Sequence, residues 1–230
     1  DPLLELSSRE RTLEIKALNE RGELLLPSLQ QALAALPEKE HLEAIPRGLR
    51  LSIRAPERRF SEEERSRQPS VFSALRAIIQ LFSSSEDDQL GLYGAFGYDL
   101  TFQFESIQLK HQRPGDQRDM VLYLPEELIV VDHRKEVAFR YSYDFHIGGV
   151  STRSRSATPY PEPTVAEGPM GPTGGDHQPG EYADAVRRAR ELFRRGDLFE
   201  LVLGQVFREP CQRSPSQIFR WLREHNPAPY

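Results

Sequence analysis

The sequence predicts an α+β fold, with antiparallel β-sheets in a sandwich-like arrangement and helices at the periphery. Two observations predict it: short segments alternate apolar and polar residues as half-buried strands do, and other segments repeat apolar residues at helical spacing. The connections between the strand-like segments are short, which favours antiparallel neighbours. The 230 residues are 38% hydrophobic and 28% charged, which is enough apolar material for one or two cores.

Alternation and helical spacing locate the first elements. Residues 12–18 alternate like a half-buried strand and lead into 19–22, which have the composition of a turn. Apolar residues follow at helical spacing over 25–36, and Pro37 ends that pattern. Residues 49–53 alternate again and predict a further strand.

The next segments predict one helix and a run of strands. Ser70 is a suitable N-cap for a helix whose apolar face comes from residues 71–82. Beyond this helix the pattern is mostly extended. Four strand-like segments cover residues 90–104, 120–124, 127–132 and 136–143.

A proline-rich stretch separates two regions of the chain. Residues 151–180 contain six prolines and no sustained apolar period, so they predict a linker or a long crossover loop. They divide an α+β region at 1–150 from a second region at 181–230.

The second region predicts a helix, a strand and a helix. Apolar residues over 182–193 form one helix face, and Gly196 is well placed to end that helix. Residues 198–207 predict a buried strand. Ser214 opens a capping box, which predicts a final helix that must end before Pro227.

The composition excludes several classes of function. The net charge of −5 lacks the basic footprint that a nucleic-acid partner requires, and no apolar run approaches the roughly 20 residues that span a membrane.

A lone cysteine, Cys211, suits a reducing compartment, so we expect a cytoplasmic protein. The sequence opens without methionine and stops at Tyr230 directly after a helix-ending signal. We therefore expect a fragment trimmed at both ends.

Few residues carry the pattern of a catalytic centre. The six histidines lack the paired spacing of metal ligands, so no metal site is expected in this chain. A G-x-S-x-G elbow and a G-x-x-x-x-G-K phosphate loop are also missing from the sequence. Gly91, Gly94 and Gly97 are spaced by three, unlike a dinucleotide fingerprint. We interpret them structurally: the glycines allow close backbone packing while the aromatic residues among them fill the core.

Four segments resemble those of chorismate-utilising enzymes, in the same order. Residues 94–99, Gly-Ala-Phe-Gly-Tyr-Asp, resemble the family's G-x-F-G-Y-D segment. Residues 176–182 resemble the start of its catalytic domain, and 196–205 resemble that domain's first long strand. Residues 226–230, Asn-Pro-Ala-Pro-Tyr, resemble the N-P-x-P-Y segment of anthranilate synthases. The chain is therefore similar to the N-terminal part of an anthranilate synthase large subunit, particularly the form fused with a glutamine amidotransferase.

The resemblance implies an activity in tryptophan biosynthesis. Such an enzyme is a lyase that replaces the hydroxyl group of chorismate with glutamine-derived ammonia and eliminates pyruvate. It uses Mg²⁺, a hard cation that accepts carboxylate oxygens, and the ligands of that ion are expected beyond Tyr230. Residues 1–150 would be regulatory, and 181–230 would be the truncated beginning of the chorismate-binding catalytic domain. The implied partners are chorismate, tryptophan, a glutamine amidotransferase subunit or fused domain, and a further copy in a homo-oligomer; the chain alone is expected to be inactive.

The resemblance also implies a tryptophan feedback site. In the family, a Leu-Glu-Ser stretch near the first strand and the N-P-x-P-Y segment converge on tryptophan. The matching residues here are Leu6, Ser7, Ser8, Asn226, Pro227, Pro229 and Tyr230. Serine stands at position 7 where glutamate is common in the family. A Ser8→Phe substitution is expected to obstruct the pocket and to spare the uninhibited rate.

Glu200 is the one candidate catalytic residue. Related enzymes that add water to chorismate carry a lysine base at the position that resembles Glu200. A carboxylate cannot act as the same desolvated lysine base, so we expect a parent enzyme that uses ammonia. Glu200 would either position that nucleophile or serve as a satisfied polar residue of the strand. Aminodeoxychorismate synthase, aminodeoxyisochorismate synthase and a non-catalytic tryptophan-binding module remain alternatives.

Overall fold

The chain forms two compact units. The structure is a computed structural model, and it describes residues 1–56, 58, 60–105, 107, 109, 112–153, 173–211 and 213–228. The units are Asp1–Tyr160 and Pro161–Tyr230. Helices occur together with antiparallel strands, so the predicted α+β class is confirmed. The assignment of 1–150 to regulation, of 151–180 to a linker and of 181–230 to catalysis stays a prediction.

A six-stranded antiparallel sheet forms the centre of the first unit. Its strands are β1 (Pro2–Arg9), β2 (Thr12–Ala17), β3 (Lys39–Ile45), β4 (Gly48–Ile53), β5 (Tyr93–Phe96) and β6 (Met120–Pro125). They lie in the order β3-β4-β2-β1-β6-β5, which places β1 inside the sheet and β3 and β5 at its edges. The strands predicted over 12–18, 49–53 and 120–124 are confirmed as β2, β4 and β6.

Two helices supply the core that covers one face of this sheet. The helices are α1 (Glu20–Ala34) and α2 (Val71–Phe82). Leu25 and Leu29 of α1 and Ile78 of α2 are almost fully buried against inward-facing strand residues. In the described part of the first unit, helices cover this face of the six-stranded sheet.

Helix α1 begins where the sequence predicted a turn. The Asn19 side chain accepts a hydrogen bond from the backbone N–H of Gly22 and so caps the helix at Glu20. Glycine is required at position 22, because an added Cβ would lie 2.3 Å from the carbonyl oxygen of Leu3. The residues predicted as a turn at 19–22 are therefore the cap and first turn of a helix.

Helix α2 confirms its prediction, although its N-terminus is held differently. Ser70 precedes the helix, but its side chain makes no capping hydrogen bond. The side-chain oxygen of Gln103 accepts from the backbone N–H of Val71 instead, at 3.0 Å. Gln103 ends a 3-10 helix, Tyr98–Gln103, so the extended pattern predicted over 90–104 is a strand only at β5.

A separate hairpin follows the main sheet. Strands β7 (Glu127–Asp132) and β8 (Val137–Ser142) pair antiparallel, as predicted from their alternation. Two short strands, β9 (His146–Ile147) and β10 (Val150–Ser151), form a further pair.

The described residues of the second unit form two helices and one short pair of strands. Strands β11 (Gly174–Gly175) and β12 (Phe207–Arg208) flank α3 (Glu181–Arg194), and α4 (Pro215–His225) follows. Both predicted helices are confirmed, including the capping box at Ser214.

The buried strand predicted over 198–207 is wrong. Only Phe207 belongs to a strand, Phe199 is 100% exposed and Val202 is 84% exposed. Apolar residues in a strand become buried only where neighbouring strands and a second layer cover them. Within the described part of this unit, no strand pairs with residues 198–206. No described helix is both long and apolar enough to cross a membrane.

Candidate functional site

Strand β1 carries two of the predicted effector residues on its buried face. Ser8 lies opposite Leu13 of β2 and Met120 of β6, both of which are core residues. Residues directly opposite each other in antiparallel strands point to the same face, so Ser8 faces the helices. It is 2% exposed, and its hydroxyl oxygen is buried without a hydrogen-bond partner in the described residues. Leu6 is fully buried on the same face.

Ser7 faces the other side of the sheet. It lies opposite Glu14 of β2 and Val121 of β6, on the face that the helices leave open. This open face forms a groove of about 260 Å³. We call it the open-face groove; it is lined by Glu5, Ser7, Ser8, Arg9, Thr12, Glu14, Lys16 and the loop 115–118.

Charges of both signs surround Ser7 in the open-face groove. Glu5 accepts hydrogen bonds from the Tyr123 hydroxyl at 3.1 Å and from Arg118 at 3.4 Å. Glu14 lies 3.7 Å from the ammonium group of Lys16 and accepts a hydrogen bond from Arg50 at 2.9 Å. Hydrogen bonds to Glu14 and then to Glu43 raise the pKa of Arg50. The groove therefore offers carboxylates to a ligand's ammonium group and cationic groups to its carboxylate.

Asp119 holds the end of β1 in place. Its backbone N–H donates to the Ser8 carbonyl oxygen at 2.7 Å, and its carboxylate accepts from the backbone N–H of Glu10 at 2.6 Å. Arg113 forms an ion pair with this carboxylate, and its Nε lies 3.0 Å from a carboxylate oxygen of Asp99. Sequence analysis missed Asp119 because a lone aspartate before a strand has no distinguishing pattern.

The glycine-rich motif packs closely against backbone atoms of the neighbouring segment, which includes Asp119. An added Cβ at Gly94 would lie 2.0 Å from the carbonyl oxygen of Val121, and one at Gly97 would lie 2.8 Å from that of Asp119. The predicted close backbone packing is therefore confirmed at Gly94 and Gly97, whereas a Cβ at Gly91 would meet only the Tyr93 ring, at 3.8 Å. The expectation that the motif's aromatic residues fill the core is wrong, since Phe96 is 58% and Tyr98 80% exposed. These residues lie on an edge strand and on the 3-10 helix after it, where little of the sheet covers them.

The remaining predicted site residues belong to the second unit. Asn226 is the exposed C-cap of α4, and its backbone N–H donates to the carbonyl oxygen of Leu222. Pro227 is exposed, and Glu200 is an exposed residue outside regular structure. Pro229 and Tyr230 lie outside the described residues. The structure thus brings Leu6, Ser7 and Ser8 together by sequence adjacency and leaves convergence with 226–230 a prediction.

Polar contacts at the start of α3 are structural. Hydrogen bonds from His177 and from the backbone N–H of Val206 lower the pKa of the Asp176 carboxyl group. They join the segment before α3 to the strand β12. Among the described residues, no three histidine, cysteine or acidic side chains are grouped closely enough to hold a metal ion.

Comparison with known proteins defines the family. Residues 35–230 match the model of the chorismate binding enzyme family, and the chain belongs to that family. The chain is 48% identical, over its full length, to a protein of Azospirillum brasilense named anthranilate synthase, of which it covers 31%. It is 30% identical to anthranilate synthase component 1 of Serratia marcescens and 29% identical to that of Escherichia coli K12, with 46% of each covered. The chain thus spans between 31% and 46% of the length of these relatives.

Proposed function

We propose that this chain is the N-terminal portion of an anthranilate synthase large subunit. The parent enzyme converts chorismate and glutamine-derived ammonia to anthranilate and pyruvate, a lyase reaction of tryptophan biosynthesis. One observation carries the proposal: the chain is similar, along its whole length, to proteins with this name. The family match over residues 35–230 supports chorismate as the substrate.

The source of ammonia extends this proposal to a partner. We assign to the parent a glutamine amidotransferase, either as a subunit or as a fused domain. The smaller share covered of the Azospirillum brasilense protein makes that relative the longer polypeptide, which supports the fused form. A cytoplasmic location and a homo-oligomeric state belong to the same proposal.

We assign magnesium binding to the parent enzyme and not to the described residues of this chain. When bound, it would hold substrate carboxylates and stabilise charge that develops on them. The described residues do not fit such an ion, since they contain no group of three candidate ligands. We therefore assign no catalytic step to this chain, and Glu200 remains a candidate for positioning ammonia.

The open-face groove is our candidate for the first half of a tryptophan site. An amino acid carries an ammonium group and a carboxylate, and the groove places Glu5 and Glu14 near Lys16 and Arg118. Val121 and Tyr123 lie opposite Ser7 and Glu5 on the neighbouring strand, beside the groove, and we propose that an indole ring packs towards them. This combination of charges and apolar surface suits an aromatic amino acid.

The strand register favours Ser7 over Ser8 as the serine that contacts the effector. The Ser7 side chain lies on the open face, whereas the Ser8 hydroxyl lies beneath the sheet among core residues. A ligand in the groove reaches Ser8 only through its backbone. The family's effector motif therefore applies here with Ser7 as the side-chain contact.

Product analysis of the parent polypeptide tests the enzymatic proposal. With chorismate, Mg²⁺ and ammonium salt, we expect anthranilate and pyruvate in equal amounts, measured by fluorescence and by coupled lactate dehydrogenase. Aminodeoxychorismate, aminodeoxyisochorismate or isochorismate as the main product would refute it. The alternative of a non-catalytic tryptophan-binding module predicts saturable tryptophan binding in calorimetry and no turnover of chorismate by the parent.

A further inference from the structure

A second cavity lies beside the turn between β1 and β2. It measures about 670 Å³, within the range of small-molecule sites, and it shares no residue with the open-face groove. The residues that matter for its chemistry are Arg11, Gln68, Phe60, Phe102 and Phe104. We call it the arginine cavity.

Arg11 brings a positive charge to this cavity without a carboxylate partner among the described residues. Its guanidinium donates to the backbone carbonyl oxygens of Pro69 and Gln103, both at 2.7 Å, and of Arg54 at 3.3 Å. These three hydrogen bonds fix the orientation of the guanidinium. A guanidinium has five N–H groups, so some of them remain available to donate to a ligand. Burial lowers the pKa of Arg11, because neutral carbonyl groups only partly replace the lost hydration.

Gln68 adds a side-chain amide to the wall of the arginine cavity. The residue is 6% exposed and lines the arginine cavity, yet its side chain makes no hydrogen bond within the described part of the chain. Its amide nitrogen and oxygen keep some solvent-accessible area, unlike the buried Nε2 of Gln103. Gln68 therefore presents an unused donor and acceptor to whatever occupies the cavity.

Aromatic rings form the rest of the wall. Phe104 is held by stacking on Phe72, with ring centroids 6.0 Å apart, and the Phe102 ring packs edge-on against Tyr98. The guanidinium of Arg58 lies over the ring of Phe60, with its Cζ atom 4.4 Å from the ring centroid. The rings are half-buried and offer apolar faces to a ligand.

The other arginines at this cavity already have acidic partners. Arg65 forms an ion pair with Glu105, and Arg58 lies 3.7 Å from Glu64. Among the described arginines of the lining, Arg11 alone has no acidic partner, so a single negative charge on the ligand suffices. A ligand with more carboxylates would have to displace one of these pairs.

We propose that the arginine cavity binds a small carboxylate attached to a planar apolar ring. The carboxylate accepts hydrogen bonds from the free N–H groups of Arg11 and from the Gln68 amide, and the ring packs against Phe102 and Phe104. Charge-assisted hydrogen bonds to a guanidinium are strong and directional, which favours a carboxylate over a neutral group. The site is separate from the proposed tryptophan groove and does not depend on the proposed enzymatic function.

Benzoate is the probe that tests this proposal on the 230-residue chain. Calorimetry and NMR titration are expected to show saturable binding of benzoate. Acetate lacks the ring and benzyl alcohol lacks the charge, so each is expected to bind about tenfold more weakly, which is about 1.4 kcal/mol. Saturating L-tryptophan is expected to leave benzoate binding unchanged, whereas competitive displacement would assign benzoate to another site and overturn the proposal.

A glutamine-to-leucine pair separates binding from stability. Gln68→Leu removes the amide and keeps a side chain of similar size, so the unfolding temperature should change little while benzoate affinity falls about tenfold. Gln80→Leu is the matched control, because Gln80 is exposed on α2 and lies outside the cavity lining. Unchanged benzoate affinity in folded Gln68→Leu, or no saturable benzoate binding in the native chain, overturns the proposal.

Arg11→Lys is the second variant. It keeps the charge but removes the planar fork that reaches both backbone and ligand, so benzoate affinity is expected to fall. Native affinity in a folded Arg11→Lys protein overturns the role of Arg11. If this variant does not fold, Gln68→Leu decides the proposal alone.

Discussion

Asp119 donates its backbone N–H to the carbonyl oxygen of Ser8 at 2.7 Å, and so joins the strand of the candidate effector site to the segment that enters β6. The carbonyl oxygen of the same aspartate accepts from the backbone N–H of Gly97 at 2.6 Å. The serine segment and the glycine-rich motif are therefore held by one residue. These backbone contacts make the position of β1 depend on Asp119, a residue that is distant from β1 in the sequence.

Replacing Asp119 tests its role in holding the end of β1. The side chain is 1% exposed, and its carboxylate is bonded to the Glu10 backbone and to Arg113. Asp119→Ala is expected to lower the free energy of unfolding by about 3 kcal/mol, because it leaves a largely buried guanidinium with one partner fewer. Urea unfolding followed by circular dichroism measures this change. Asp116→Ala, at an exposed aspartate of the same loop, should change stability little, and equal losses in both variants would contradict the assignment.

Gly94 is expected to tolerate no side chain. An added methyl group would meet the backbone carbonyl of Val121 at 2.0 Å, and that strand cannot move without losing its pairing with β1. Gly94→Ala should therefore destabilise the first unit by about 1–3 kcal/mol, the scale of overpacking. Hydrogen exchange of the β5 backbone amides is expected to be faster in Gly94→Ala than in the wild-type protein.

Gly115→Ala is the control for Gly94→Ala. Nothing lies within 4 Å of the position that a Cβ would take at Gly115. This variant should keep native stability and native exchange at β5. If Gly94→Ala matched it, the edge strand would be able to shift, and the steric account of the motif would be wrong.

Glu126 is expected to give the first unit a measurable pH dependence. Its side chain is 4% exposed, and burial raises the pKa of its carboxyl group more than the opposing charges of Arg21 and the N-terminus lower it. A raised acid pKa in the folded state means that stability falls as the pH rises from the unfolded value, about 4.3, through the folded value. The wild-type protein should therefore lose stability relative to Glu126→Gln over this window and then level off.

Unfolding free energies measured between acid and neutral pH check this sign. Glu127→Gln serves as the control, since Glu127 is more exposed and pairs with Arg140 across the hairpin. A wild-type advantage over Glu126→Gln that grows with rising pH would instead show that Arg21, 3.2 Å away, dominates over burial.

Local patterns predicted those elements whose neighbours are close in sequence. The β7–β8 hairpin follows from alternation on both sides of a short turn, and α2 follows from apolar residues at helical spacing. The edge strand β3 was missed, because Lys39–Ile45 is charged and half-exposed and its strand character depends on pairing with β4. The prediction for residues 198–207 made the opposite error, because it assigned a buried strand where the structure has exposed chain. An apolar run forms a buried strand only when other strands cover it.

The candidate site shows the same limit at the level of single side chains. The sequence placed Ser7 and Ser8 together in an effector segment, but adjacent residues of a strand point to opposite faces. Which serine meets a ligand depends on the pairing of β1 with β2 and β6, and no local pattern contains that register. Asp119 was missed for the same reason, because its contacts with Ser8 and Glu10 are long-range.

The pair Ser7→Phe and Ser8→Phe, made in the parent enzyme, tests the effector face of β1. Ser7→Phe places a ring in the open-face groove, so it should weaken tryptophan inhibition about tenfold or more, the middle of the usual allosteric coupling range, and leave the uninhibited rate nearly unchanged. Ser8→Phe forces a ring among Leu13, Met120 and other core residues, and overpacking should lower the unfolding temperature and the amount of folded enzyme. Inhibition curves and thermal unfolding, measured on both variants, separate the two effects. A stable Ser8→Phe enzyme that resists tryptophan, beside a Ser7→Phe enzyme with a native inhibition curve, would place the effector on the helix-covered face and overturn this assignment.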